Sequence, residues 1–205
     1  MPPTSPPPTI SVPAGFAKTV IFLKENSAVG QYLFLRGGTS YAHSGACSPG
    51  PYEQDSDPCA IPIRHNTSAP PSFHEYPAYS QNDNYLDWEG AEKNQGKYNG
   101  TAASGTPLVW STNDPSAVGY QKYNKYGPNY WMVELMIDCS KTESGWFELK
   151  GYLTPSAGWE SDVAQIACDG YYGGSPPFQS NNHVARCGAV NVFIWGSGGC
   201  IVDQV

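Results

Sequence analysis

Charge is scarce in this sequence: Asp, Glu, Lys and Arg together make up only 14% of its 205 residues. Ala, Leu, Glu and Lys do not occur in the quantity that long helices need, which argues against a helical fold. No run of 18 apolar residues occurs, so nothing reads as a membrane-spanning helix. Basic residues are outnumbered, 11 against 18 acidic ones, for a net charge of −7. Such a surface repels phosphate, which argues against nucleic acid and against anionic membranes as partners. No two cysteines have CxxC spacing and the four histidines, His43, His65, His74 and His183, form no HxH or HExxH motif. Zinc ribbons and zincin-type sites are therefore not expected. A GxSxG nucleophile elbow is missing as well.

What the chain does contain is Gly (22), Pro (19) and Tyr (14) in abundance. Turn formers combined with aromatics point to many short strands joined by long loops. The even set Cys47, Cys59, Cys139, Cys168, Cys187 and Cys200 reads as a disulfide framework, and so as a secreted, extracellular chain. Cys47–Cys59 would close the shortest loop, and Cys139 is expected to reach into the C-terminal segment. Two sequons, Asn66-Thr67-Ser68 and Asn99-Gly100-Thr101, sit among polar or small residues, as glycosylation sites do. Met1 leads directly into Pro2-Pro3, which reads as a processed or excised segment.

Residues 1–17 form a Pro-rich extension or linker, with polyproline II as its natural conformation. Residues 18–205 read as one domain. Its expected strands are Lys18 to Lys24, Gln31 to Arg36, Ala60 to Arg64, Pro107 to Trp110, Tyr130 to Asp138, Trp146 to Leu153 and Ala189 to Trp195. In the sixth, Phe147, Leu149 and Gly151 face one way, while Trp146, Glu148, Lys150 and Tyr152 face the other. That is the alternation of a sheet with one wet face. The architecture that fits is an all-β, antiparallel, immunoglobulin-like sandwich with long disulfide-pinned loops.

Sugars present apolar C–H faces that stack on indole rings and hydroxyl rims that need polar side chains. Trp88 in Leu86-Asp87-Trp88-Glu89 and Trp159 in Gly158-Trp159-Glu160 sit where rings can be exposed beside acids. Trp131 and Trp195 lie in apolar strands and belong to the core. A hydrolytic function would need two carboxylates about 5–9.5 Å apart. Glu134, Glu148, Glu160, Asp83, Asp87 and Asp162 are the available acids, and Glu134 and Glu148 would face each other if their strands were neighbours. Asn82-Asp83-Asn84 with Asp87 offers oxygen ligands for Ca²⁺, although Asx turns explain the same residues. No other cofactor is implied.

The order of these elements resembles the starch-binding domains of amylases and glucoamylases. The resemblance is carried by Val20-Ile21-Phe22, by Gly30 to Gly37, by Leu86-Asp87-Trp88, by Trp131, by Phe147-Glu148-Leu149-Lys150 and by Trp159-Glu160. The chain, including Arg36-Gly37-Gly38, also resembles accessory C-terminal domains of some invertebrate α-amylases. It implies non-catalytic binding of an α-glucan or related glycan through Trp88, Lys150, Trp159 and Glu160. The segment from Gly37 to Leu86 is longer than in that family, and residues 163–205 have no counterpart there. Two other readings stand beside it. One is a structural, filament-forming glycoprotein that self-associates through residues 1–17, and the other is a small secreted glycoside hydrolase.

Overall fold

The computed structural model describes residues 12–40, 42, 47, 57–65 and 73–205. The strands of the first half are β1 (Phe16–Lys24), β2 (Tyr32–Gly38), β3 (Ile61–His65), β4 (Tyr85–Leu86), β5 (Lys97–Tyr98), β6 (Thr101–Ala102), β7 (Thr106–Pro107) and β8 (Val109–Ser111). One turn of helix, α1 (Tyr76–Tyr79), lies between β3 and β4. The second half adds β9 (Tyr130–Asp138), β10 (Trp146–Thr154), β11 (Gly158–Trp159), β12 (His183–Arg186), β13 (Val190–Ile194) and β14 (Ser197–Asp203).

Twelve of these strands make two sheets packed face to face, so the fold is the all-β sandwich the composition implies. The larger sheet runs β14-β13-β1-β9-β3-β4, with β8 also on β9. The smaller runs β11-β10-β2-β7, with β12 also on β10. Pairing is antiparallel except between β1 and β13, which run parallel. β1 and β2 are not a hairpin but belong to different sheets, and so do β9 and β10. Between β9 and β10 the chain crosses over through a short 3₁₀ turn at Cys139–Lys141 and a left-handed corner at Ser144 (φ 57°) and Gly145 (φ 89°).

Burial explains the two kinds of strand. β1 is covered on both faces. Ile21 and Leu23 enter the inter-sheet core, while Val20 and Phe22 pack outward under Tyr130, Met132 and Val192. A strand buried on both sides reads as a continuous apolar run, as Val20 to Leu23 does. β10 is covered on one face: Phe147, Leu149 and Leu153 join Leu33 and Leu35 of β2 in the core. Gly151 is required there, because a Cβ would lie 2.5 Å from the Trp195 ring and 2.7 Å from Leu23. Trp131 is buried as expected, and Trp195 is half-buried against the same core. Pro107 is tolerated because β7 is an edge strand.

Residues 163–205 extend the sandwich on both layers: β12 joins the smaller sheet and β13 and β14 the larger. The disulfides are Cys47–Cys59, Cys139–Cys187 and Cys168–Cys200. Cys139 follows β9 and Cys187 follows β12, so this bridge ties one sheet to the other. Among the described residues no helix is long and apolar enough to cross a membrane. Of the 1–17 extension, residues 1–11 lie outside the described residues; Val12 is exposed.

The inter-sheet bridge generates a first prediction. The double variant Cys139→Ala/Cys187→Ala should lose ~2–5 kcal/mol of stability in urea unfolding. An unchanged midpoint would show that the layers hold together without the staple.

Candidate functional site

The outer face of the smaller sheet collects several of the side chains that the sequence singles out. The register pairs Lys150 with Arg36 and Tyr152 with Phe34 across β10 and β2, and Tyr152 with Trp159 across β10 and β11. Directly paired residues share a face, so Arg36, Lys150, Tyr152 and Trp159 project together. Trp159 is 43% exposed. Its ring meets Tyr152 edge to face, with centroids 5.3 Å apart at 88°. The Arg36 guanidinium lies 4.0 Å from the Tyr152 ring centroid and 4.9 Å from that of Trp159. Arg36 Nε donates to the Ser104 carbonyl at 2.7 Å, which fixes the fork in place. Burial lowers the Arg36 pKa, while Tyr152, Asp87 and Glu89 raise it. Lys150 Nζ donates to Asp162 Oδ1 at 2.5 Å.

The same face continues past Phe34 to a cavity of about 240 Å³ walled by Tyr32, Tyr79, Tyr98 and Pro155. Asn99 lines its rim and is exposed. It occupies the first central position of the Asn99-Gly100 turn joining β5 to β6, at φ 48° and 81°. That turn is the left-handed hairpin type that Asn-Gly favours. Asn66 lies outside the described residues.

Trp88 comes from the neighbouring loop. Its indole Nε1 donates to the Thr39 carbonyl at 3.3 Å and the ring is half-buried. The loop packs on the site through Gly90, where a Cβ would lie 2.4 Å from Arg36 Nε. Lys150 and Trp159 therefore meet around Arg36, while Trp88 flanks them and is tied to the chain after β2. Arg36 and Tyr152 were not singled out as binding residues in the sequence. The signals were there: Tyr152 alternates with Lys150, and Arg36 is the one cation in the run Tyr32 to Arg36.

Glu160 points the other way. It is 2% exposed, and its carboxylate accepts from His183 Nε2 at 2.9 Å, Gly151 N–H at 3.0 Å and Gly196 N–H at 2.6 Å. With its oxygens engaged inside, it drops out of the sugar-binding set. Burial alone would raise its pKa, but the bonds from His183 and the two backbone N–H groups outweigh it, and the net shift is downward. His183 stacks on Phe193 at 4.5 Å, so the pair locks β11 and β12 to the turn after β13.

Glu134 and Glu148 do not face each other, because β9 and β10 lie in different sheets. Glu134 pairs with Lys18 at 2.9 Å, and Glu148 accepts from Asn182 at 2.7 Å. Asn82 and Asn84 turn outward, donating to the Asn94 and Asn82 carbonyls, so they do not join Asp83 in a ligand set. Asp87 is buried and accepts from Gly90 N–H at 2.7 Å; burial pushes its pKa up to about 6. His65 is half-buried, and desolvation lowers its pKa to about 4. Among the described residues no group of three or more His, Cys, Asp and Glu side chains converges to hold a metal ion.

Glu160→Ala should cost about 3 kcal/mol at pH 7, since it strands the buried His183 and Gly151 N–H and frees the Gly196 N–H. The lowered carboxylate contributes stability above its unfolded pKa near 4.5, lost as pH falls through the lower folded value. The gap between wild type and variant should therefore narrow in urea melts below about pH 4. A gap that stays constant would show that the ionised carboxylate is not what stabilises.

No known protein family, curated protein or solved structure matches this chain.

Proposed function

We propose that the chain is a secreted, non-catalytic carbohydrate-binding domain whose ligand is an α-glucan of the starch type. The observation that carries this reading is the exposed Trp159 ring on a sheet face, with Tyr152 packed perpendicular to it and Arg36 beside both. An indole on a rigid sheet presents a flat apolar area at little entropic cost, which suits the C–H face of a pyranose. Arg36, Lys150 and Asp162 ring it with hydrogen-bonding groups for hydroxyls. The surface is open, and sites of that kind bind weakly and gain strength from repetition or from an attached module. The α-glucan class rests on the resemblance carried by Gly30 to Gly37, Phe147 to Lys150 and Trp159-Glu160, less the buried Glu160. Three disulfides and the exposed Asn99 sequon support passage through an oxidising secretory route.

The test is native electrophoresis through gels containing soluble starch, glycogen, β-glucan or nothing. Starch and glycogen should retard the wild type and β-glucan should not. Trp159→Ala should weaken binding by about 2 kcal/mol or more, or roughly 30-fold, with an unchanged melting temperature. Tyr152→Ala should weaken it less, because its ring backs the platform. A folded Trp159→Ala variant retarded like wild type would move the site elsewhere, and unaltered migration in every gel would remove the function.

A further inference from the structure

The chain from Gln81 to Gly96 closes on itself: Gly96 N–H donates to the Gln81 carbonyl at 2.7 Å and Asn82 Nδ2 to the Asn94 carbonyl at 3.0 Å. Compact loops of this kind usually pack their own side chains inside. Here the inward residues include Asp83, Glu92 and Gln95, which are 3%, 7% and 4% exposed. Thr106 of β7, 1% exposed, lies beneath them.

Half of this cluster is explained by ordinary bonds. Asp83 Oδ2 accepts from His65 Nε2 at 2.5 Å, and Glu92 Oε1 accepts from Tyr85 N–H at 3.0 Å. The other half is not. Asp83 Oδ1, Glu92 Oε2, both amide atoms of Gln95 and Thr106 Oγ1 have no hydrogen-bond partner, although Glu92, Gln95 and Thr106 all act on Asp83 at side-chain range. Three buried oxygens, from Glu92, Gln95 and Thr106, thus approach Asp83 without good hydrogen-bond geometry. Among the described residues no salt bridge joins Asp83 or Glu92 to a lysine or arginine.

Two buried carboxylates in contact, with no lysine or arginine paired to either, are strongly unfavourable. A proton shared between them would relieve the repulsion but leave the Gln95 amide and the Thr106 hydroxyl unpartnered. A hard cation satisfies the four side-chain oxygens together, although not the Gln95 Nε2 donor. Ca²⁺ takes oxygen ligands from carboxylates, amide carbonyls and hydroxyls in flexible geometry, with water completing the shell.

We propose that the interior of the 81–96 loop is a calcium-class cation site, with Asp83, Glu92, Gln95 and Thr106 supplying its side-chain oxygens. The cation would be structural. The loop carries Trp88 and Gly90 against Arg36, and Gly37 N–H donates to the Asp87 carbonyl at 2.9 Å, so fixing it fixes one flank of the glycan surface. This set differs from the Asn82, Asp83, Asn84 and Asp87 ligands that the sequence pattern suggests. Only Asp83 is common to both.

The test uses the full chain, stripped with EDTA and melted in EDTA, in 5 mM MgCl₂ or in 5 mM CaCl₂, with Tb³⁺ luminescence as a direct binding readout. Calcium should raise the melting temperature by about 3 °C or more over EDTA, and magnesium by less. Glu92→Gln and Gln95→Leu should each lose that increment and the Tb³⁺ signal. The wild-type arm decides by itself if a variant fails to fold. Equal melting in EDTA and calcium, together with no Tb³⁺ emission, would overturn the site and leave the carboxylates to a shared proton. No sugar enters the assay, so its failure and that of the glycan reading are separable.

Discussion

Seven residues of β10, Glu148 to Thr154, pair with seven of β2, Gly38 to Tyr32, and much of the molecule follows from that register. It sends Leu149 and Leu153 inward against Leu33 and Leu35, and Lys150 and Tyr152 outward beside Arg36 and Phe34. A slip of one residue would reverse both sets, burying Lys150 and exposing the leucines. The core therefore pins the register, and the register assembles the surface. Because β11 pairs on the opposite edge of β10, the same alternation delivers Trp159 next to Tyr152. No loop needs to close to form the patch.

The adjacent pair Trp159-Glu160 shows how finely this is divided. Trp159 stands in solvent on the outer face, and Glu160 enters the interior to accept three hydrogen bonds. One residue offers the surface and the next anchors it to β10, β12 and the turn at Gly196. On the other flank, the loop carrying Trp88 is held to β2 through Gly37 and closes around a polar interior. The patch is thus bracketed by two buried polar assemblies, one whose carboxylate is fully engaged and one with carboxylate oxygens still unpartnered.

The sequence revealed those parts of the fold that local pattern controls. The apolar runs at Val20 to Leu23 and Tyr130 to Ile137 marked the central strands, and the alternation of Trp146 to Leu153 marked a sheet with one wet face. β14 escaped because Ser197-Gly198-Gly199 looks like a loop until pairing with β13 extends it. The hairpin at Asn99-Gly100 carried the strongest turn signal in the chain but was read only as a sequon. Long-range facts were the least legible. Glu160 looked like a surface acid because its partner His183 lies 23 residues away. Glu134 and Glu148 looked like neighbours because consecutive strands usually pair, whereas here the chain changes layers between them.

The central claim is that an α-glucan lies on Trp159. The most direct measurement is an NMR titration of the indole N–H resonances with a malto-oligosaccharide, using Trp159→Phe for assignment. The account requires the Trp159 signal to move with saturable concentration dependence, while those of the core residues Trp131 and Trp195 stay in place. A titration in which the Trp159 resonance does not move while the sugar is in large excess would contradict it.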